Sequence, residues 1–412
     1  MRRPASVSAS PKDAALARGL HRLRELGPRV LLITAAAVLG LIVKIVIDAT
    51  TFGTNDVFAW RNFLHEAHRF GGIGLYQMDP QFNHPPFIIT FLFGIGGASR
   101  ISGLPFQFWL RVPAIAADLG SLVLVYRIAQ REGLQVRTST LVLLALAPAS
   151  IMISGFHGNT DPVMIFFVLL SIYFLDRQSP WAAGIAAGMS LNIKVAGLIF
   201  LPAILFAFAG SRQRGKFLAA AVLTVIVGSQ PYLVEDPLLI ARHTLGYTSL
   251  AGHWGVTRLM SWLPPGFGIV EKAYVRWGGV ALLVVIAGIA WWLNRSPRRP
   301  PPFMQAGLSV FLFLGLTPGF GVQYLAWTVP WVVALGRTAT IAVYAACGLF
   351  LFAVYTFWSQ GFPWYLADSN VIGDWRGGII FLELLCWLSI LAALLMSIAR
   401  VAWRRQGSEV LA

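Results

Sequence analysis

Asp56 carries the most chemical promise in its local context. It heads an amphipathic segment, Asp56 to Phe70, in which Trp60, Phe63, Leu64 and Ala67 recur at helical spacing. Arg61, Asn62, His65 and His68 fall on the opposite side, as in a helix lying on a membrane surface. Two readings fit this acid. At a helix N-terminus a carboxylate is stabilised by the dipole, by about 0.3–1 kcal/mol. The same terminus keeps it ionised, ready to take the proton of an attacking hydroxyl as a general base.

The second polar stretch reads Phe156-His157-Gly158-Asn159-Thr160-Asp161-Pro162 between two apolar runs. Thr160, Asp161 and Pro162 suit an ordinary helix start. His157, Gly158 and Asn159 exceed what a turn requires. They suit hydrogen bonding to a substrate and polarisation of a phosphate-linked leaving group. Lys194 lies between the apolar half-runs Ala182–Ile193 and Val195–Phe208. A charge at such depth costs roughly 2.5–3.5 kcal/mol, so Lys194 either snorkels to the interface or pairs with a carboxylate or a lipid phosphate. Arg242, His243, His253 and Arg258 crowd one late loop. They are either solvated loop charge or a grip on an anionic ligand, for which arginine offers bidentate hydrogen bonds.

The elements that must position these residues belong in lipid. Of 412 residues, 57% are hydrophobic and 12% charged, and the mean hydropathy is +0.69. Soluble domains lie nearer half apolar and a quarter charged. The net charge of +15 sits in short clusters between apolar runs, which is the positive-inside pattern and argues against nucleic acid as a partner. Placing Arg127–Arg137, Asp176–Arg177, Arg212–Lys216, Arg295–Arg299, Arg337 and Arg400–Arg405 in the cytoplasm gives about twelve spans. They fall near 30–48, 106–128, 139–154, 162–175, 180–193, 196–210, 216–232, 274–293, 303–316, 324–336, 338–358 and 376–399. Residues 1–29 read as a basic cytoplasmic tail, 30–400 as a single transmembrane catalytic domain, and 401–412 as a second tail. Phe87 to Ala98 is apolar but too short to cross ~30 Å of hydrocarbon, and reads as a half-inserted helix beside a cavity. On this topology the polar stretches face outward. The Gly- and Ala-rich run Ala182–Gly188 is suited to close packing, within the chain or between chains.

Several chemistries lack their signatures. There is no strand–turn–helix nucleophile elbow, and no glycine-rich nucleotide loop, so a soluble nucleotide sugar is not the expected donor. Cys347 and Cys386 lie inside apolar runs, and no metal-ligand spacing occurs. No cofactor is expected.

The order of these features resembles the C-type glycosyltransferases, in particular the dolichyl-phosphate-glucose-dependent glucosyltransferases and their bacterial mannosyltransferase-like relatives. The resemblance runs over about 30–400 and rests on Asp56 after the first span, His84-Pro85-Pro86-Phe87, the His157–Pro162 stretch, Lys194, and Pro318-Gly319-Phe320-Gly321-Val322-Gln323-Tyr324-Leu325-Ala326-Trp327. It implies an all-α membrane bundle with surface helices in the first outward loop. It implies transfer of a hexose or pentose, with inversion, from a polyprenyl-phosphate to a hydroxyl of a lipid, glycan or protein. Asp56 would be the base. His84, His157, Asn159, Asp161, Gln323 and Tyr324 would bind substrate. Lys194, Arg242, His243, His253 and Arg258 would hold the donor phosphate. Some relatives pair two acids in this loop to bind a divalent metal; here Asn55 precedes Asp56, which favours the metal-free form. The setting implied is a bacterial plasma membrane with the site facing out. The rival reading is a secondary transporter or lipid flippase, but no internal repeat is present and the polar groups gather on one face.

Overall fold

The computed structural model describes residues 27–246, 249–295, 298–372 and 375–406. The basic tail up to residue 26 and residues 407–412 lie outside the described residues. In chain order the helices are α1 Pro28–Thr50, α2 Asn55–Met78, α3 Phe87–Ser102, α4 Phe106–Arg131, α5 Thr138–Ala145, α6 Pro148–Met152, α7 Asp161–Leu175, α8 Pro180–Ile193, α9 Leu201–Ala207, α10 Ser211–Gly228, α11 Pro237–Leu245, α12 Gly255–Met260, α13 Gly268–Asn294, α14 Pro302–Leu316, α15 Arg337–Trp358 and α16 Gly377–Gln406, joined by shorter turns. The chain is an all-α polytopic membrane protein. Its sheet among the described residues is a parallel two-residue pair, β1 Gly53–Thr54 with β2 Leu366–Ala367.

Six described helical segments are long and apolar enough to span: α1, α4, Thr138–His157, α13, α15 and α16 up to Ala402. α7 and α14 have 15 residues each, about 22 Å at 1.5 Å per residue and short of a bilayer core. Most of their residues are buried, so their ends meet protein instead of lipid. α1 is the opposite case. Leu31, Leu32, Val38, Leu39, Ile42 and Val46 are exposed on its lipid side. Its buried face repeats every fourth residue: Ala36, Gly40, Lys44 and Asp48. A helix whose charges turn inward satisfies them with partners on neighbouring helices.

Two expected spans are broken. Near 196–210 the chain forms a 3₁₀ turn, Val195–Ile199, before α9, and near 324–336 it runs as 3₁₀ turns around Val329–Val332. Pro202 and Pro330 remove backbone donors there. Phe87–Ser102 is a helix of 16 residues, longer than read from hydropathy alone but still short for a crossing. The Ala182–Gly188 run packs within the chain: a Cβ on Gly184 would fall 2.3 Å from the Phe217 carbonyl oxygen, and one on Gly188 2.6 Å from that of Ala221. Only glycine lets α8 approach the α10 backbone this closely.

Candidate active site

The site forms at the end of the bundle remote from the Arg127–Arg137 turn, where α1 gives way to α2. Thr54 precedes the helix without a side-chain cap, and Asp56 occupies its first turn. The amphipathic reading of α2 holds: Trp60, Phe63 and Ala67 are buried, while Arg61, Asn62, His65 and His68 are exposed. The opposing wall is a single π-helical turn, Ile153–His157, that closes on Gly158 in the left-handed region at φ 80°. Glycine is needed at this position for conformation and for space, because a Cβ would meet Val57 at 2.9 Å.

His157 and Asn159 converge on one oxygen of Asp56. His157 Nε2 lies 3.1 Å from Asp56 Oδ2, and Asn159 Nδ2 donates to the same oxygen at 3.0 Å. Among the described residues Oδ1 accepts no hydrogen bond. A carboxylate only accepts, so His157 carries a proton on Nε2; in the neutral imidazole Nδ1 then accepts from the Tyr355 hydroxyl at 2.9 Å. His157 is 4% exposed at its side chain and Asp56 35%, so the base opens outward from a buried support. Burial works to raise the pKa of Asp56. The hydrogen bond and charge of His157, the bond from Asn159 and the charge of Lys194 outweigh it and hold the carboxyl below its ordinary value of 3.8.

Asp161 does not cap its helix. Its carboxylate receives Lys194 Nζ on both oxygens, at 2.9 and 2.8 Å, and the Trp327 indole N–H on Oδ1. Lys194 ends α8 in an extended conformation, φ −159° and ψ 131°, which releases its side chain toward α7. The ammonium lies 5.1 Å from the centroid of the Tyr324 ring, which stacks on Trp327 at 4.2 Å. Lys194 thus takes the carboxylate pairing, and it retains some exposure while Asp161 is sealed.

His84 stacks on Trp60 at 4.5 Å between ring centroids. Burial, then the charge of Lys194, push it down to about 3 against the pull of Asp56. His84, Lys194 and Asp56 therefore share one electrostatic neighbourhood. Gln323 is half-buried beside Tyr324. The remaining basic candidates lie in other groups. His243 Nδ1 bonds the Phe82 carbonyl at 3.0 Å, and Arg242 is exposed. Arg258 is ion-paired with Glu383 at 3.0 Å and stands 3.5 Å from His253 Nδ1.

Sequence reasoning gave Trp327 no role beyond its place in the Pro318–Trp327 stretch, and it missed Tyr355 and the ion pairs beneath the site, Lys44–Asp118 at 2.5 Å and Asp48–Arg111 at 3.1 Å. A signal existed for the pairs: acids and bases inside apolar runs at helical spacing. None existed for Tyr355.

A family described as dolichyl-phosphate-mannose-protein mannosyltransferase matches residues 83–233. Over 342 residues the chain is 25% identical to a polyprenol-phosphate-mannose-dependent alpha-(1-2)-phosphatidylinositol mannoside mannosyltransferase of Mycobacterium tuberculosis, covering 71% of this chain and 77% of that one. Over 358 residues it is 27% identical to a polyprenol-phosphate-mannose-dependent alpha-(1-2)-phosphatidylinositol pentamannoside mannosyltransferase of Mycolicibacterium smegmatis, covering 79% of this chain and 78% of the relative. No solved structure matches the chain significantly. The matches bear out the resemblance to polyprenyl-phosphate-sugar-dependent glycosyltransferases.

Proposed function

We propose that this chain is an integral membrane mannosyltransferase that moves the sugar of a polyprenyl-phosphate donor to a hydroxyl of a lipid-linked glycan on the outer face of a bacterial plasma membrane. The observation that carries this reading is the Asp56 carboxylate, fixed through Oδ2 by His157 and Asn159 and open at Oδ1. The mycobacterial relatives support mannose as the sugar and a phosphatidylinositol mannoside-like acceptor. The outward placement is supported by the arginine-rich turns at the opposite end of the bundle.

In the proposed reaction the acceptor hydroxyl oxygen attacks the anomeric carbon. Its proton passes to Asp56 Oδ1 as the oxygen–carbon bond forms. The bond from the anomeric carbon to the phosphate oxygen breaks, and its electron pair leaves with the polyprenyl phosphate. A single displacement of this kind inverts the anomeric configuration. The charge of Lys194 reaches the base and would stabilise the charge developing on the phosphate. Asp161 holds that ammonium in place, and Tyr324 and Trp327 form its aromatic floor. His84 remains neutral beside it and can offer the sugar a hydrogen bond. Arg242, His243, His253 and Arg258 border the same end of the molecule and would guide the anionic donor.

The test uses the purified protein in liposomes with radiolabelled polyprenyl-phosphate mannose, or a nucleotide-activated mannose, and phosphatidylinositol mannoside as acceptor. Label moves to the acceptor from the polyprenyl donor alone, and Asp56→Asn abolishes the transfer without loss of folded protein. Transfer from the nucleotide sugar, or full activity in Asp56→Asn, overturns the reading.

A further inference from the structure

The two ion pairs beneath the site both link α1 to α4, and both extend to the π-turn. Asp118 Oδ2 accepts from Lys44 Nζ at 2.5 Å, Ser150 Oγ at 2.6 Å and Ser154 Oγ at 2.5 Å. Lys44 also donates to Ser150 at 2.7 Å. Ser150 and Ser154 are one helical turn apart, and Ser154 lies inside the π-turn that ends at His157. The turn rests on the backbone of α1, since a Cβ on Gly155 would lie 3.2 Å from Lys44 Cα.

Arg111 acts at the same place from the other side. It is fully buried and pairs with Asp48 at 3.1 Å. Its Nη1 donates to Gly155 O at 3.0 Å and Thr51 Oγ1 at 3.1 Å. Its Nη2 donates to Thr51 O at 3.1 Å and to the Phe52 carbonyl. One guanidinium therefore holds the strand that leads into Asp56 and the turn that leads into His157. Gly53 permits this contact: it sits at φ +110°, where a Cβ would lie 2.7 Å from Phe156 O and 2.9 Å from Arg111 Nη2. Apolar residues of matching volume stabilise a buried site as well as an ion pair does, or better, so stability alone does not account for four intramembrane charges.

We propose that Lys44–Asp118 and Asp48–Arg111 form an intramembrane clamp whose role is to position His157 against Asp56, with Asp118 acting through Ser150 and Ser154 and Arg111 through the carbonyls of Thr51, Phe52 and Gly155. These are positioning residues, since none touches Asp56 or the open side of the site. The clamp deepens the reading of Asp56 as the base and rests on it. It predicts that neutral, well-packed replacements leave a folded protein with a misplaced imidazole. A displacement of about 1 Å at such a contact can lower the rate about 10²-fold.

The experiment compares the native chain with Lys44→Met/Asp118→Leu, which removes both charges together, and with the milder Ser154→Ala. His157 accessibility is read by diethyl pyrocarbonate labelling and mass spectrometry, and transfer kinetics are measured on the same preparations. In the native protein His157 is shielded. In the double variant its labelling rises several-fold, kcat falls about 10²-fold, and the KM for the polyprenyl donor stays unchanged; Ser154→Ala shifts both readouts the same way by less. Native-level shielding and kcat in a folded double variant would overturn the clamp. Because labelling needs no turnover, it judges the clamp even if Asp56→Asn proves active and the base assignment fails.

Discussion

Asn159→Asp isolates the electrostatics of the base. The substitution is isosteric, and the new carboxylate can still accept from the Thr160 N–H, which now bonds Asn159 Oδ1 at 2.7 Å. The change falls on the other atom: Nδ2, which donates to Asp56 Oδ2 at 3.0 Å, becomes an oxygen that cannot donate. Two unit charges about 4 Å apart interact by about 4 kcal/mol at an effective dielectric constant near 20. Asp56 is about one-third exposed, and solvent screening cuts this to about 2 kcal/mol. At 1.36 kcal/mol per pH unit, the acid limb of kcat/KM should rise by about 1.5 units. In the native site the lowered pKa of Asp56 puts that limb below the ordinary carboxylate range, so the rate is flat on its account from pH 5 to 8. In Asn159→Asp, transfer should be weak at acid pH and recover as the pH rises. The assay is initial-rate transfer in liposomes from pH 4.5 to 9. A profile lowered uniformly, with no displaced limb, would refute the assignment of Asp56 as a titrating base held by Asn159.

Tyr355→Phe removes the hydroxyl that bonds His157 Nδ1 at 2.9 Å. One buried neutral hydrogen bond contributes about 0.5–1.5 kcal/mol, so kcat should fall about two- to tenfold with the donor KM unchanged; an unaffected kcat would remove Tyr355 from the site. Lys194→Met leaves the sealed Asp161 carboxylate without its cation and should lower unfolding stability by about 3–5 kcal/mol. Adding Asp161→Asn should restore the thermal midpoint but not transfer, and restored transfer would exclude Lys194 from leaving-group stabilisation. His84 is held neutral down to about pH 3, whereas an unfolded histidine takes up a proton near 6.5. The unfolded state therefore binds more protons between these values, and stability should fall as the pH drops below about 6.5. His84→Phe should flatten that part of the curve in thermal unfolding.

How far the sequence reveals this site depends on whether a residue's role is local or tertiary. Asp56, His157 and Asn159 were legible because they stand in segments more polar than a membrane turn requires. Lys194 was legible as a misplaced charge, and the sequence offered the right kind of partner; for Asp161 it offered a helix start or a substrate contact, and not the pairing its carboxylate makes with Lys194 and Trp327. Lys44, Asp48, Arg111 and Asp118 were visible in principle as charges inside apolar runs. Which acid meets which base is set by how α1 packs on α4, and no pattern within either helix contains that. Tyr355 has no local signal, since a tyrosine near a span end suits the interface equally well. The segments near 196–210 and 324–336 were read as spans because hydropathy counts apolar residues, while Pro202 and Pro330 set what backbone those residues can form.

Those irregular segments carry an argument of their own. The π-turn Ile153–His157, the 3₁₀ turn Val195–Ile199 that follows Lys194, and the 3₁₀ turns Val322–Thr328 that hold Tyr324 and Trp327 come from distant parts of the chain. In lipid each would expose backbone groups with no partner, at several kcal/mol apiece. They are tolerated only where protein or water satisfies them, and the contacts show where that is. Asp161 joins Lys194 to Trp327. Asp56 is tied to His157 and influenced by Lys194. Thr54 and Trp60 take up the carbonyls of His157 and Gly158, at 2.8 and 3.0 Å. The breaks in helical order therefore converge on one polar cluster. A straight helix presents side chains only at fixed angular intervals, and each break frees one group, His157, Lys194 or Trp327, to leave its helix axis and meet the others. The regular helices around them serve as the lipid-facing wall that makes such a polar interior affordable within a membrane.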